Sequence, residues 1–467
     1  MKRWKSMPEK FWLTVFSCLI GASLCANAAY AAPGVKISDK KDRVTIGSAV
    51  TAEMLAEIKQ GVGDAKDLKF TFEKTGSDED FAKICAAFPG ITELNLDGPQ
   101  ALTTIAPVAQ LKGLTRFALA GGIVSDFSPL SDLTGLKSLQ IRGNNSKNGM
   151  MAPDLKWMSK LSNLTYLSVG GPSDLRTFVS FEGIPSLPKL TSATFVGAAP
   201  ADLTPLQALS GLTKLELTGC IIVDLAPLAK LAELKDLSLY GATVKDFSPL
   251  ANCPKLQTLM YYATKGSDYS TLGKLTQVQE LKGGLTELAD ISWVASLPNL
   301  RKFDVFSEKV TDYTPLAKAK VEDLQIWSMK APTDLKQLSG AVSLKKLKLW
   351  SLKNASGFEG LASLANLEEL LLWSMNAKDG TPVDLAFAKS LVSLKKLEIP
   401  SSEIRNFDAV AACAKLESVE IGKDTTGITS LAALKKLPNL KTVSVAKGMF
   451  PDAELAGFAA TVKITQR

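Results

Sequence analysis

The 467-residue sequence is far longer than one ordinary compact domain, so it encodes either several domains or an array of repeats. Its 46% hydrophobic and 22% charged residues exclude a disordered chain, and a formal net charge of +7 is too small an excess for a nucleic-acid-binding surface. Because histidine is absent, His-dependent catalytic triads and His-ligated zinc or iron sites are excluded.

The first predicted element is a signal peptide at residues 1–31. A basic start precedes an apolar run from Phe11 to Leu24, which small residues follow. At about 14 residues this run is shorter than the roughly 20 that a membrane-spanning helix needs. We therefore expect cleavage after Ala28, Ala31 or Ala32 and an exported protein, periplasmic or secreted to the cell surface, that does not span a membrane.

Residues 32–87 are predicted to form an N-terminal helical cap. An amphipathic pattern favours a helix around Thr51 to Lys59, and alternating apolar residues favour a strand from Leu68 to Phe72. A second helix is expected to begin at Ser77, because Asp80 follows three residues later in the arrangement of a capping box. Such a polar end is what an array of stacked repeats requires.

Residues 88–436 repeat at a period of about 22 residues. Two units read LSGLTKLELTGCIIVDLAPLAK from Leu209 and LAELKDLSLYGATVKDFSPLAN from Leu231. Numbered from the first leucine, apolar residues occupy unit positions 1, 4, 7, 9, 14, 17 and 20. Positions 7 and 9 have the spacing of a strand with one buried face, and positions 17 and 20 that of a short helical turn. Each unit is therefore a strand, a turn and a return segment that must stack on its neighbours.

The motif LxxLxxLxLxxxxIxDΦxPL, with Φ apolar, resembles the leucine-rich repeat of the internalin-like, 22-residue bacterial class. It recurs in roughly sixteen units, and residues 437–467 form the last unit and a C-terminal cap with a helix near Asp452 to Ala460. The resemblance implies an α/β-repeat solenoid with parallel strands on the concave face and short helical or 3-10 turns on the convex face. The asparagine that the family places at position 12 is mostly replaced, for example by Ala242 and Glu308.

Two polar features favour structural interpretations. An aspartate recurs at position 16, as in Asp224, directly before the helical turn; it can accept the free amide hydrogens of that turn, whereas calcium needs six to eight oxygens converging on one point. Outside the signal peptide, Cys85, Cys220, Cys253 and Cys413 occupy apolar positions and are expected to be buried free thiols. We predict neither a metal site nor a cofactor.

One stripe of residues is the candidate ligand-binding site. Position 10 lies on the opposite strand face from positions 7 and 9, hence on the concave surface with positions 6 and 8. It carries aromatic rings in neighbouring units, and lysines flank the rings at positions 6 and 8. The predicted site residues are Tyr240, Tyr262, Phe306, Trp327, Trp350, Trp373, Lys346 and Lys348. The alternative is that the rings only stack on one another and stiffen the sheet.

The sequence therefore predicts an exported binding protein that recognises a protein or glycan ligand on its concave, aromatic-lined face. The alternative function is a structural envelope or surface protein without a specific soluble ligand. We expect no enzyme, because the sequence has no phosphate-binding glycine loop, no Gly-x-Ser-x-Gly motif and no Cys-x-x-Cys pair. Nucleic acid is not an expected partner, and the mature protein is not expected to span a membrane.

Overall fold

The computed structural model describes most of the chain after residue 34. The described ranges are 29–30, 35–73, 76–143, 155–170, 181–197, 202–219, 222, 224–242, 244–263, 268–284, 287–327, 333–377 and 381–467. Of the predicted signal peptide, these ranges include only residues 29–30. Cys220 also lies outside them.

The N-terminal segment contains four strands and two helices, namely β1 (Ala29–Tyr30), β2 (Val35–Ile37), β3 (Arg43–Ile46), α1 (Ala52–Val62), β4 (Asp67–Phe72) and α2 (Asp78–Ala87). The hydroxyl of Thr51 caps α1 by accepting the Met54 amide hydrogen. Ser77 and Asp80 form the predicted capping box of α2. Strands β1 to β3 pair antiparallel, and β4 joins β3 in parallel, so this segment leads into one continuous sheet.

The repeats add one parallel strand each to that sheet. These strands are β5 (Glu93–Asp97), β6 (Arg116–Ala120), β7 (Ser138–Arg142), β8 (Tyr166–Gly170), β9 (Ser192–Val196), β10 (Lys214–Thr218), β11 (Asp236–Ala242), β12 (Thr258–Ala263), β13 (Glu280–Lys282), β14 (Lys302–Phe306), β15 (Asp323–Trp327), β17 (Lys346–Trp350), β19 (Glu369–Ala377), β21 (Lys396–Ser402), β23 (Ser418–Ile421), β24 (Thr442–Val445) and β25 (Lys463–Gln466). Accessibility alternates along each strand: in β14, Phe303 and Val305 are buried, and Asp304 between them is partly accessible. The predicted assignment of positions 7 and 9 to the core is confirmed.

The return segments form short turns on the convex side. The 3-10 helices are Ala106–Gln110, Ser128–Leu130, Lys156–Lys160, Thr204–Ala208, Ala226–Lys230, Ser248–Asn252, Ser270–Lys274, Ser292–Ser296, Thr314–Ala317, Leu335–Gly340, Phe358–Ser363, Leu385–Ser390, Phe407–Ala412 and Leu434–Lys436. Short flanking strands accompany some of them, β16 (Thr333–Asp334), β18 (Lys353–Ser356), β20 (Val383–Asp384) and β22 (Ile404–Arg405), and a last helix is α3 (Asp452–Ala456). The architecture is the expected solenoid of parallel strands and 3-10 turns.

The recurring aspartates cap these turns. The Asp224 carboxylate accepts the Ala226 amide hydrogen at 2.8 Å, and the Asp312 carboxylate accepts that of Thr314 at 2.9 Å. The same contact occurs at Asp126, Asp202, Asp246, Asp268 and Asp290. The Thr314 hydroxyl and amide also hold the pKa of Asp312 below its ordinary value. Each carboxylate is therefore occupied by its own turn, as the capping interpretation expects.

In several units the residue at position 11 has a left-handed backbone conformation. Gly219 and Gly241 take this conformation, with φ of 68° and 69°, and so do Ser351 and Ser374, with φ of 51° and 52°. The amide of this residue donates to the next unit, as Ser351 does to the Trp373 carbonyl at 2.8 Å. In Trp350-Ser351 and in Trp373-Ser374, a ring at position 10 is thus followed directly by a left-handed residue.

The missing asparagines of position 12 are replaced by other donors and acceptors. The Ser402 hydroxyl donates to the Leu372 carbonyl and accepts the Met375 amide hydrogen, and the Tyr261 hydroxyl lies between Ala242 and Val244. In the unit of β14 the buried hydroxyl is that of Ser307, whereas Glu308 at position 12 is exposed. Buried backbone groups of the turns are therefore satisfied without an asparagine ladder.

A substitution at Gly283 should destabilise the array. Gly283 has a φ of 148°, and a Cβ atom there would lie 1.8 Å from the Tyr261 carbonyl oxygen. We expect Gly283→Ala to lower the free energy of unfolding by about 2 kcal/mol or more, through strain and steric overlap. The control is Gly113→Ala, where a Cβ would meet nothing within 4 Å. Equal midpoints of thermal unfolding for the two variants would contradict the described backbone.

The described cysteines are buried and free. Cys253 and Cys413 are fully buried at position 1, and each thiol donates at 3.3 Å to a carbonyl 25 residues earlier in the chain, that of Leu228 and that of Ala388. Burial raises the pKa of Cys253 and Cys413 to about 11 and that of Cys85 to about 12. All three thiols are therefore protonated and shielded in the folded chain.

This burial predicts slow thiol chemistry. In native protein at pH 8, Cys85, Cys253 and Cys413 should react with a thiol reagent at least about a hundredfold more slowly than after denaturation, because the reactive species is the thiolate. Mass spectrometry of peptides labelled before and after denaturation measures each residue separately. Rapid labelling of any of the three in folded protein would show that its unit is packed differently.

Candidate ligand-binding surface

Six rings at position 10 form a continuous aromatic ladder on the concave face. The members are Tyr240, Tyr262, Phe306, Trp327, Trp350 and Trp373. The parallel register sets equivalent positions opposite one another, so Trp327 pairs with Trp350 and Trp350 with Trp373. At a strand spacing of about 4.8 Å the ladder is roughly 30 Å long. The sequence prediction that these residues share one stripe therefore agrees with the observed register.

The rings stack closely on one another. The centroids of Tyr240 and Tyr262 are 4.5 Å apart at an interplanar angle of 26°. Trp350 stacks on Trp327 at 5.8 Å and 17°, and on Trp373 at 5.0 Å and 27°. Phe306 tilts against Trp327 by 58° at 4.5 Å. Most ring faces are consequently covered by neighbouring rings, and ring edges remain accessible.

The ladder has one step without a ring, at Gly284. A Cβ at Gly284 would lie 2.9 Å from the Cδ1 atom of Tyr262 and 3.7 Å from that of Phe306. The Tyr262 ring therefore occupies part of the space that a side chain at Gly284 would fill. Burial also raises the pKa of Tyr262 to about 12, and the negative charges of ionised Tyr240 and Asp304 add to this effect.

The ladder ends at Trp373 because the next strand changes geometry. Position 10 of β21 is Pro400, and the pairing of β19 with β21 is irregular here, with Leu371 opposite Glu398 but Trp373 opposite Ser401. Trp373 is 42% exposed, whereas the other five rings are half-buried. The only ring of the ladder with a largely open surface is thus its last one.

The two lysines that the sequence selected differ in their surroundings. The Lys346 ammonium lies 2.7 Å from a carboxylate oxygen of Glu369 on the next strand. Lys348, at position 8 beside Trp350, forms no ion pair or hydrogen bond with any described residue. Of the two lysines, only Lys348 lies outside an ion pair, and its positive charge opposes the rise of the Asp304 pKa.

The sequence places Asp304 among the charged residues that flank the stripe, at position 8 between Phe303 and Val305, but does not select it as a site residue. Its Oδ1 atom is shielded from solvent and has no hydrogen-bond partner among the described residues. Burial raises the pKa of Asp304 to about 6, opposed by the positive charge of Lys302 and reinforced by the negative charge of Asp323. The position-8 column could have identified this residue, but the sequence does not show how far the neighbouring side chains cover it.

Comparison with known proteins identifies the fold. No family model and no curated protein matches the sequence. Among solved structures, the TLR13–ssRNA13 complex matches with a TM-score of 0.52 and 16% sequence identity, over 85% of this chain and 59% of that chain. The chain is a leucine-rich-repeat solenoid.

Bacterial leucine-rich-repeat proteins also match. An internalin from Listeria monocytogenes is 19% identical with a TM-score of 0.35, over 86% of each chain. A leucine-rich-repeat protein of Leptospira interrogans is 16% identical with a TM-score of 0.43, over 89% of this chain and 92% of that one. No helix in the described ranges is both long and apolar enough to cross a membrane.

The shifted pKa of Asp304 predicts a measurable pH effect on stability. Between its ordinary value of 3.8 and its folded value of about 6, the folded state binds the proton more tightly than the unfolded state, so ionisation costs stability as the pH rises. We expect Asp304→Asn to be more stable than the parent by about 1–2 kcal/mol at pH 7.5, with the difference vanishing near pH 4.

Chemical denaturation of both proteins across that pH range measures the difference. Asp236→Asn, which removes an exposed carboxylate from the same face, is the matched control. A difference between Asp304→Asn and the parent that does not change with pH would mean that Asp304 is not the group described here.

Proposed function

We propose that this chain is an exported binding protein that recognises a protein ligand on its concave face, with the aromatic ladder as the principal contact. The observation that carries the proposal is the stripe of six rings, broken only at Gly284, on a sheet face whose other residues are mostly polar or small. A row of large rings is costly to leave in water, and such patches usually mark interaction sites. Large aromatic side chains are also enriched among the residues that dominate binding energy.

The stacking of the ladder favours a protein over a glycan as the ligand. A sugar ring packs on the open face of an aromatic ring, but both faces of Trp350 and one face each of Tyr240, Tyr262 and Trp327 are covered by stacked neighbours. Ring edges flanked by charged and polar side chains are suited to the mixed apolar and polar surface of a polypeptide. The protein-binding use of leucine-rich-repeat solenoids supports the same choice.

Export is part of the proposal because of the N-terminal sequence. The basic start, the apolar run of residues 11–24 and the small residues after it are typical of a cleaved signal peptide. The ligand would then be met in the periplasm or at the cell surface.

The alternative function is a structural protein of the envelope or surface. It is favoured by the mutual stacking of the rings, which stabilises the sheet without any ligand. It requires that a second copy of the chain covers the ladder. Light scattering at high protein concentration distinguishes the two, because a monomer would leave the ladder uncovered and contradict the structural alternative.

Removing the three indoles should abolish ligand binding. We expect the triple variant Trp327→Ala, Trp350→Ala and Trp373→Ala to lose at least about a hundredfold in affinity for a protein recovered with the parent chain from an extracellular or envelope fraction. A glycan array screened with the same two proteins tests the other ligand class. Affinities are measured by titration calorimetry, and thermal unfolding is recorded to separate lost stability from lost contact.

The matched control is Trp157→Ala. Trp157 lies on a convex 3-10 turn and stacks on Phe127, so its loss also removes an aromatic contact but leaves the concave face intact. This control should keep the parent's affinity. Full affinity in the triple variant would overturn the proposed function.

A further inference from the structure

The concave charges beside the ladder are mostly neutralised within the sheet. Between β13 and β21, positions 6 and 8 carry both signs. Ion pairs join Glu280 with Lys282, Lys302 with Asp323 at 3.5 Å, Lys346 with Glu369 at 2.7 Å, and Lys396 with Glu398 at 3.0 Å. A ligand therefore meets little charge over most of this surface.

Two charged residues of this surface remain outside those pairs, Asp304 and Lys348. The Oδ1 atom of Asp304 is shielded from solvent, so that side of the carboxylate is closed to a ligand. Lys348 is half-buried on β17, between Gln325 and Leu371 on the neighbouring strands, and has no ion pair or hydrogen bond among the described residues. The charge of Lys348 acts on the Asp304 carboxylate without forming an ion pair with it, so the ammonium can still pair with a ligand.

The unpaired lysine lies next to the open end of the ladder. Trp373 is on the strand that follows Lys348, and its outer surface is exposed because Pro400 ends the stacking. Leu371, two residues before Trp373 on the same sheet face, is buried and lies directly opposite Lys348. Lys348, Leu371 and Trp373 form what we call the terminal patch: a cation next to an apolar surface and an open indole.

We propose, on the basis of the proposed function, that the terminal patch binds a protein segment in which an acidic side chain lies next to a large apolar one. The carboxylate of the ligand would pair with the Lys348 ammonium, and its apolar side chain would cover the open face of Trp373. The charge of Lys348 requires a negatively charged side chain on the ligand, because a basic side chain would be repelled there.

The same arrangement disfavours an extended polyanion. A nucleic acid or sulfated glycan is bound by a row of cations spaced along its backbone. The neighbouring Lys282, Lys302 and Lys346 are already paired with carboxylates of the sheet. One free cation at the end of an apolar ladder matches one acidic side chain.

The test is selection of peptides from a displayed library of random 12-residue sequences on the immobilised full chain. We expect the enriched sequences to contain Asp or Glu beside an aromatic or aliphatic residue. A synthetic peptide of the most enriched sequence should bind at least tenfold more weakly to Lys348→Met and to Trp373→Ala, and more weakly at 0.5 M than at 0.1 M salt. Lys346→Met, the matched lysine already paired with Glu369, should remain within about threefold of the parent.

The outcomes separate this inference from the proposed function. Enriched peptides that lack acidic residues, or that bind Lys348→Met as well as the parent, would overturn the inference. If those peptides still fail to bind the triple tryptophan variant, the ladder remains the binding surface and only the terminal patch is refuted. Failure to enrich any sequence also counts against the inference. Circular dichroism and thermal unfolding of each variant exclude loss of folding as the cause.

Discussion

The structure depends on one constraint: no unit can bury its apolar edge unless an equivalent unit stacks on it in the same register. The register is kept at position 6 of successive units, where Lys214 lies opposite Asp236 and Lys346 opposite Glu369. Every unit position therefore becomes a column whose members are one strand spacing apart, about 4.8 Å. A residue in this array interacts first with its counterparts in the neighbouring units, and columns are the natural unit for explaining both stability and surface.

Whether one type of residue can repeat along a column depends on how its side chains interact with one another. Leucines and aromatic rings attract one another, so they can repeat without a break, as in the aromatic ladder. Like charges repel, so charged columns alternate in sign: positions 5 and 6 read Arg301 and Lys302, then Glu322 and Asp323, then Lys345 and Lys346 in successive strands, and Glu368 and Glu369 follow. Each exposed pair contributes at most about 1 kcal/mol. If a strand paired with the next strand but one, however, like charges would lie opposite one another along these two columns.

The repeat phase explains how much could be predicted from the sequence. Period and apolar positions were sufficient to place Trp327, Trp350 and Trp373 in one stripe and Asp224 at the start of a turn, because both follow from backbone register. Ring tilt, the shielding of Asp304 and the exposure of Ser307's neighbour Glu308 could not be predicted. They depend on how the side chains of two or three neighbouring units pack together. They also depend on Gly284 and Pro400, which replace a ring at position 10 and whose effect on the neighbouring rings does not follow from the repeat motif.

Stacking also changes what the ladder can offer a ligand. Rings held by their neighbours have already lost most of their rotamer freedom on folding, so a ligand that contacts their edges does not have to immobilise them again. The same stacking makes the interior of the ladder uniform, because each covered ring presents a similar edge. Specificity must then come from the places where a column is interrupted. The Tyr262 ring occupies part of the space at Gly284, whereas the ladder stops before Pro400 and leaves Trp373 exposed near Lys348, so the second interruption creates the surface to which a distinct side chain can bind.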